Sequence, residues 1–262
     1  MMNPIHTQIV HTFSGSLKPE TDVLAEEIPI ALVYNGISHV VLMATPQDLA
    51  ELALGFSLTE GILTDVSQLY DLQIESDCQG ISVQMEISSA RFVALKERRR
   101  SMTGRTGCGL CGIDSLTAAL PDIQALERTD KISNQHITQA VSELRHHQAL
   151  REQTGSLHGA AWVVDGQIQA AFEDIGRHNA LDKLLGYLSK NQIDKQNGFI
   201  VVSSRASYEM VAKAATLGVG CVVAVSAATA LAVRVAEQAN MTLIGFAKPQ
   251  QFVVYSGVEY IE

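Results

Sequence analysis

Long apolar runs, excess basic charge and abundant cysteine are all missing from this 262-residue sequence. No run of about eighteen apolar residues occurs, and no basic segment followed by an apolar block opens the chain. We therefore expect neither a membrane span nor an export signal. The formal net charge of −9 argues against general nucleic-acid binding, which needs a basic surface. Four cysteines with one close pair make a poor disulfide framework, so we expect a cytoplasmic protein.

The most unusual stretch runs from Arg98 to Gly112 and holds two of the cysteines, Cys108 and Cys111, as a Cys-x-x-Cys pair. Four arginines precede the thiols: Arg98, Arg99, Arg100 and Arg105. Glycines flank both thiols and predict an exposed, mobile loop, because glycine reaches conformations that other residues avoid. Guanidinium groups lower the pKa of a nearby thiol toward the reactive thiolate. We therefore predict a reactive or metal-binding role for the pair.

The chain before this loop is predicted to form a small α+β domain at 26–125, after a loose lead-in at 1–25. A β-hairpin on an Asn-Gly turn comes first. A helix follows from Pro46 to Glu60, with Thr45 as N-cap in a capping box with Asp48, and it ends at Gly61. Two further strands are predicted at about 69–75 and 81–87.

The chain after the loop is predicted to form a second domain at 126–262, in which strands and helices alternate. Near-continuous apolar strands imply a largely parallel sheet covered on both faces. A helix at about Asn134–Leu150 precedes this sheet. It carries His136, His146 and His147, which we expect to be solvated.

Polar segments directly follow the predicted strands of this second domain. In open α/β sheets, ligands bind beyond the carboxyl ends of the strands. Hydroxyl and amide donors at a helix start, with an arginine beside them, suit a phosphate. The segments are 173–179, 203–207, 226–229 and 245–251. By position, the candidate ligand-binding residues are Arg177, His178, Asp182, Arg205 and Ser207.

Two motifs together, E-D-I-G-R-H-N-A-L-D-K from Glu173 and T-G-C-G-L-C-G from Thr106, resemble the formate dehydrogenase accessory family, the FdhD/NarQ sulfur carriers. Shorter likenesses lie at 45–61, 154–158 and 231–236. The sequence departs from the family at 203–205 and 226–229, where it reads Ser-Ser-Arg and Ser-Ala-Ala-Thr rather than Ser-Gly-Arg and Ser-Ala-Pro-Thr.

The resemblance implies a cytidine-deaminase-like three-layer α/β domain joined to a smaller N-terminal α+β domain, usually in a homodimer. It also implies a sulfurtransferase-type persulfide relay, and leaves open whether that makes the protein an enzyme. A cysteine desulfurase would load Cys108, with Cys111 assisting or resolving. The sulfur would pass to Mo-bis(molybdopterin guanine dinucleotide), bound as cargo, before that cofactor enters formate dehydrogenase. The matching nucleotide-binding segment consists of Phe246, Ala247, Lys248, Pro249, Gln250 and Gln251.

Two other interpretations of the cysteine pair stay open. One is a dithiol oxidoreductase, since Cys-x-x-Cys at a helix start is also a redox arrangement. The other is a zinc-binding interaction module, although structural zinc wants four ligands and only this pair has the spacing. Zinc deaminase chemistry is disfavoured, because it needs His-x-Glu before Pro-Cys-x-x-Cys. Here the pair precedes His158, and Ala160 stands where the glutamate would be.

Overall fold

The computed structural model of the protein describes residues 2–102, 123–128 and 130–262. The predicted cysteine loop, with Cys108, Cys111 and Arg105, lies outside the described residues. The remaining two cysteines are placed: Cys78 is exposed and Cys221 is buried. Cys221 is a core side chain, and its burial raises the pKa of its thiol to about 12.

The N-terminal segment is ordered as a β-hairpin, which differs from the loose lead-in expected at 1–25. Strands β1 (Ile5–Phe13) and β2 (Leu17–Ala25) pair antiparallel along their full length. Most of their side chains are exposed, including Ile9, Phe13 and Leu17. Backbone hydrogen bonds between the two strands hold the hairpin together. Because most of its side chains are exposed, its sequence lacks the alternation of apolar and polar residues from which strands are predicted.

The next unit has the β-β-α-β-β order expected from the sequence. Its elements are β3 (Ile28–Tyr34), β4 (Ile37–Ala44), α1 (Leu49–Thr59), β5 (Leu69–Ser76), β6 (Ile81–Ile87) and α2 (Ser89–Met102). Within the described residues the sheet order is β4-β3-β6-β5, with β3 parallel to β6. Helix α2 was missed because its arginine-rich sequence lacks an apolar stripe. Among its described side chains, Leu95 is buried in the core of this unit and Phe92 packs against it.

Helix α1 begins later than predicted. Asp48 has a left-handed backbone (φ 54°) and its side chain makes no cap hydrogen bond, so the helix starts at Leu49. The expected N-cap, Thr45, is fully buried and instead donates to Asp174 Oδ2, at 3.1 Å through its N–H and 2.9 Å through Oγ1. The helix end is as predicted, because Gly61 follows it at φ 66°.

The second unit is a mixed sheet between helices. Its elements are α3 (Asn134–Glu143), α4 (Ala149–Thr154), β7 (His158–Val164), β8 (Gln167–Asp174), α5 (Arg177–Lys190), β9 (Phe199–Val202), α6 (Tyr208–Thr216), β10 (Cys221–Ala224), α7 (Ala230–Gln238), β11 (Thr242–Lys248) and β12 (Gln251–Ser256). In the part of the chain that the structure describes, the strand order is β12-β11-β10-β9-β7-β8.

The prediction of a largely parallel sheet is wrong. Among the described strands of this six-stranded sheet, only β9–β10 and β10–β11 pair parallel, and the hairpins β7–β8 and β11–β12 bring antiparallel pairing to both edges. Buried side chains of α5, α6 and α7 pack on one face of the sheet, and those of α3 on the other. This gives three layers, as expected. The finer likeness to cytidine deaminases stays a prediction.

The two units meet where α1 packs against α5. A Cβ built on Gly55 of α1 would overlap the carbonyl oxygen of Asp182, and one on Gly186 of α5 would overlap that of Glu51. The two helices therefore cross with their backbones in contact, and only glycine fits at either position.

Two buried ion-pair clusters flank this helix crossing. In the first, Asp174 pairs with Lys183 at 2.8 Å, and Lys183 also donates to Thr45 Oγ1 at 2.8 Å. In the second, Lys213 pairs with Asp182 at 3.0 Å and with Glu60 at 3.0 Å. Burial acts to lower the pKa of Lys213, but the carboxylates of Asp182 and Glu60 outweigh it and hold that pKa above its ordinary value. Each cluster joins side chains of both units, through the hydroxyl of Thr45 in the first and the carboxylate of Glu60 in the second.

Candidate functional site

A pocket of about 500 Å³ opens at the carboxyl ends of β9, β10 and β11. Ser203 follows β9, Val225 follows β10, and Lys248 ends β11. Two of the four polar segments predicted from the sequence, 203–207 and 245–251, thus contribute residues to this pocket. This is where the strand rule places a ligand.

The opposite wall of the pocket comes from the segment that runs from α3 into α4. It contributes Arg145, Gln148 and Arg151. Together with Lys248 they surround the opening with positive charge, and Glu152 is the acidic residue among the lining side chains. The remaining side chains of the wall are mostly apolar: Val141, Leu144, Val225, Ala247 and Pro249. Apolar walls with a few placed polar groups are typical of a small-molecule site.

The predicted nucleotide segment Phe246–Gln251 lies partly in this pocket. Ala247, Lys248 and Pro249 line it. Gln250 and Gln251 are exposed. Phe246 is 47% exposed and has φ 51°, a left-handed backbone that a bulky residue rarely adopts. Its N–H donates to the carbonyl of Ser226 at 3.0 Å within a bulge of β11. Strained backbone of this kind clusters at functional sites.

A second polar surface lies at the starts of α5 and α6. His178 Nε2 stands 2.9 Å from Glu209 Oε2, which joins the first turns of the two helices. Ser207 is the N-cap of α6, yet its side chain makes no cap bond. Ser207 Oγ and Arg177 Nε are both buried without a hydrogen-bond partner among the described residues. Arg205 is exposed on the loop that precedes them.

His158, at the start of β7, links the two surfaces electrostatically. Burial lowers its pKa, and the guanidinium groups of Arg151 and Arg177 lower it further. Its Nδ1 is also buried without a partner within the described part of the chain. Burial likewise lowers the pKa of His178, against the opposing charge of Glu209. Both imidazoles are therefore biased toward the neutral form.

Asp182 is the predicted site residue that the fold does not bring to either surface. It is 1% exposed and accepts from Thr59 Oγ1 at 2.8 Å and from Lys213 at 3.0 Å. These bonds place it in the second ion-pair cluster between the units. Its predicted contact with a cofactor stays a prediction.

Sequence reasoning missed the wall made by Arg145, Gln148 and Arg151, and it missed His158 as a site residue. The segment 134–150 was predicted to be a helix, and its histidines were expected to be solvated. None of His136, His146 and His147 lines the pocket; His146 and His147 are exposed, and His136 is half-buried. The likeness at 154–158 ended at His158 and was the one signal that pointed to this region.

Residues 2–102, 123–128 and 130–262 contain neither a cluster of metal ligands nor a membrane-spanning helix. No group of three or more His, Cys, Asp or Glu side chains is placed there to hold a metal ion. No helix there has the length and apolar character needed to cross a bilayer.

Comparison with known proteins gives consistent results. A model of the FdhD/NarQ family matches residues 25–262. The sulfur carrier protein FdhD of Cupriavidus necator is 52% identical over 244 residues, covering 92% of this chain and 84% of that protein. The crystal structure of a putative formate dehydrogenase accessory protein from Desulfotalea psychrophila superimposes with a TM-score of 0.78 at 21% identity, covering 99% of this chain and 100% of that one. The structural match shows that the fold is shared.

Proposed function

Because the chain belongs to the FdhD/NarQ family, we propose that it accepts sulfur from a cysteine desulfurase on Cys108 and delivers it to Mo-bis(molybdopterin guanine dinucleotide) for formate dehydrogenase. The cofactor is substrate and cargo, not a resident group. A cytoplasmic homodimer is part of the same proposal, on the family resemblance.

The pocket at the strand ends is the observation that carries this proposal. Phosphates of a guanine nucleotide are anionic, and this acidic protein gathers Arg145, Arg151 and Lys248 around one opening. A volume of about 500 Å³ is within the range of small-molecule sites. One nucleotide arm of the cofactor would occupy the pocket. Arg177, Arg205 and Ser207, at the helix starts across the same edge, would face another part of the cargo.

The sulfur steps are assigned from the cysteine motif. The Cys108 thiolate attacks the terminal sulfur of the desulfurase persulfide, the donor's S–S bond breaks, and the donor leaves as a thiolate. The Cys111 thiolate then attacks the inner sulfur of the Cys108 persulfide. Hydrosulfide leaves for the molybdenum and a Cys108–Cys111 disulfide remains. A cellular dithiol reductant returns both thiols with two electrons and two protons.

Mass spectrometry after incubation with a cysteine desulfurase and cysteine tests the loading step. We expect the peptide that holds both cysteines to gain one sulfur atom, which reductant removes. Cys108→Ala should gain none, and in cells it should abolish formate dehydrogenase activity. Cys78→Ala, at an exposed cysteine in a turn, is the matched control and should behave like wild type.

Two results would contradict the carrier assignment. A loss of two hydrogens without added sulfur would make the pair a redox disulfide. Stoichiometric zinc in the purified protein would favour the interaction module.

A further inference from the structure

Glu173 is a buried carboxylate that caps the short helix beside the pocket. It lies in β8 and is 7% exposed. Its Oε2 accepts from the N–H of Leu150 at 2.9 Å, and its Oε1 accepts from the N–H of Arg151 at 2.8 Å. These N–H groups belong to the first turn of α4, where the helix itself offers no acceptor. The usual acceptor is the N-cap side chain, but that of Gln148 makes no cap bond. Glu173 therefore supplies the cap from a neighbouring strand.

The backbone that carries this carboxylate is fixed in the sheet. Glu173 pairs with Gly159 of β7, and its carbonyl accepts from Lys183 Nζ at 3.1 Å. Asp174, the next residue, forms the buried ion pair with Lys183. Helix α4 has only six residues, too few to be stable by its own hydrogen bonds. Its first turn is therefore held against the sheet through Glu173.

The capped turn contributes to the basic wall of the pocket. Arg151 and Glu152 of this turn line the pocket, and Lys248 lines it from the end of β11. A cation on an ordered turn binds an anion more tightly than one on a loose turn, because less conformational entropy is lost on binding. The cap thus bears on anion affinity, although both oxygens of Glu173 are already engaged by backbone donors.

We propose that Glu173 is a positioning residue: by capping α4, it holds Arg151 in place to bind the phosphates of the nucleotide in the pocket. The proposal rests on the function proposed above and deepens it. Charge alone predicts the opposite effect of this residue. A carboxylate near a phosphate repels it, so removing the charge should strengthen nucleotide binding if repulsion were its only influence. If Glu173 positions Arg151, removing the charge weakens binding.

Titration calorimetry with GDP on the full-length protein tests the sign of this effect. Glu173→Gln keeps the size of the side chain, but its amide group presents a donor to one of the two backbone donors, so one cap bond is lost. We expect GDP to bind about fivefold more weakly, since the turn and its arginine must then be ordered on binding. Glu143→Gln is the matched control. It removes the same charge from an exposed position on α3 that does not line the pocket, and it should bind GDP within about twofold of wild type.

A double-mutant cycle with Arg151→Ala separates positioning from a general loosening of the fold. Arg151→Ala alone should weaken GDP binding about tenfold, the effect of losing one hydrogen bond to a charged group. If Glu173 acts through Arg151, adding Glu173→Gln to Arg151→Ala should weaken binding by no more than about a further twofold. Glu173→Asp, which keeps the charge and is one methylene shorter, provides the same cycle if Glu173→Gln does not fold.

Three results would overturn the assignment while leaving the nucleotide pocket standing. They are GDP binding by Glu173→Gln that is as tight as wild type or tighter, unchanged GDP binding by Arg151→Ala, and a full further fivefold loss in the double variant. If wild type binds no GDP, or Lys248→Ala binds it as tightly as wild type, the proposed pocket function fails and the positioning role fails with it.

Discussion

Replacing Lys183 by methionine should destabilise the protein strongly, because it leaves the buried carboxylate of Asp174 without its cation. Lys183 and Asp174 are both fully buried and their charged atoms lie 2.8 Å apart. Breaking such a pair by removing one partner costs about 3–5 kcal/mol. Asp174 keeps four donors after the change: Thr45 N–H, Thr45 Oγ1, Gly176 N–H and Asn179 Nδ2. These hydrogen bonds compensate part of the lost ion-pair energy. We therefore expect the free energy of unfolding to fall by about 3 kcal/mol, the lower end of that range.

The assay is urea unfolding followed by circular dichroism at pH 7, with the free energy of unfolding extrapolated to water. Lys190→Met is the matched control on the same helix. Lys190 pairs with Glu51 at 3.0 Å but is 54% exposed, and exposed pairs contribute about 0–1 kcal/mol. The double variant Asp174→Asn with Lys183→Met removes both charges and should be more stable than Lys183→Met alone.

Two results would refute this reasoning. The first is a decrease in the free energy of unfolding for Lys183→Met that is no larger than the decrease for Lys190→Met. The second is a double variant whose loss equals the sum of the two single losses, since additivity means that the two side chains do not interact.

Two further predictions concern the helix crossing and His158. Gly55→Ala should lower the free energy of unfolding by at least about 3 kcal/mol, because the new Cβ meets the backbone of α5. This value is the upper end of ordinary overpacking costs. Thermal unfolding measures the change, and a stabilised variant would show that helix propensity outweighs the overlap. NMR titration should give His158 a pKa below 6.5, because burial and then the charges of Arg151 and Arg177 lower it. The contribution of neutral His158 to stability is present above pH 6.5 and is lost as pH falls through the lowered pKa. His158→Asn should therefore lose less stability on acidification than wild type, and an identical pH dependence of the two proteins would contradict this prediction.

The local elements could be predicted where chain chemistry alone determines them. Asn35-Gly36 forms the expected turn, with φ 46° and 79°. Asp165-Gly166 turns the β7–β8 hairpin, with φ 49° and 76°. These dipeptides favour a left-handed backbone whatever packs around them. By contrast, Thr45 has the sequence pattern of an N-cap, yet it bonds to Asp174, 129 positions away. No local pattern reports such a partner.

The candidate site likewise contains residues that local sequence rules could predict and residues that depend on tertiary packing. The rule of strand ends led to Ser203 and Lys248, which line one pocket, because the rule depends only on strand direction. The wall with Gln148 and Arg151 comes from a segment that precedes the sheet, and its approach depends on how α3 and α4 pack. Asp182 looked like a surface ligand because it shares a motif with Arg177. Helical periodicity instead turns it toward the neighbouring unit, where Lys213 neutralises it.

The glycine pair at the helix crossing constrains how this sequence can drift over evolution. The Cβ of any replacement at 55 or 186 would strike backbone atoms, so a smaller neighbouring side chain cannot make room for it. At most packed positions, a substitution can be compensated by a change in a neighbouring side chain. No such compensation is available at positions 55 and 186. Any lineage that loses one of these glycines must alter the approach of the two helices, and with it the alignment of both ion-pair clusters.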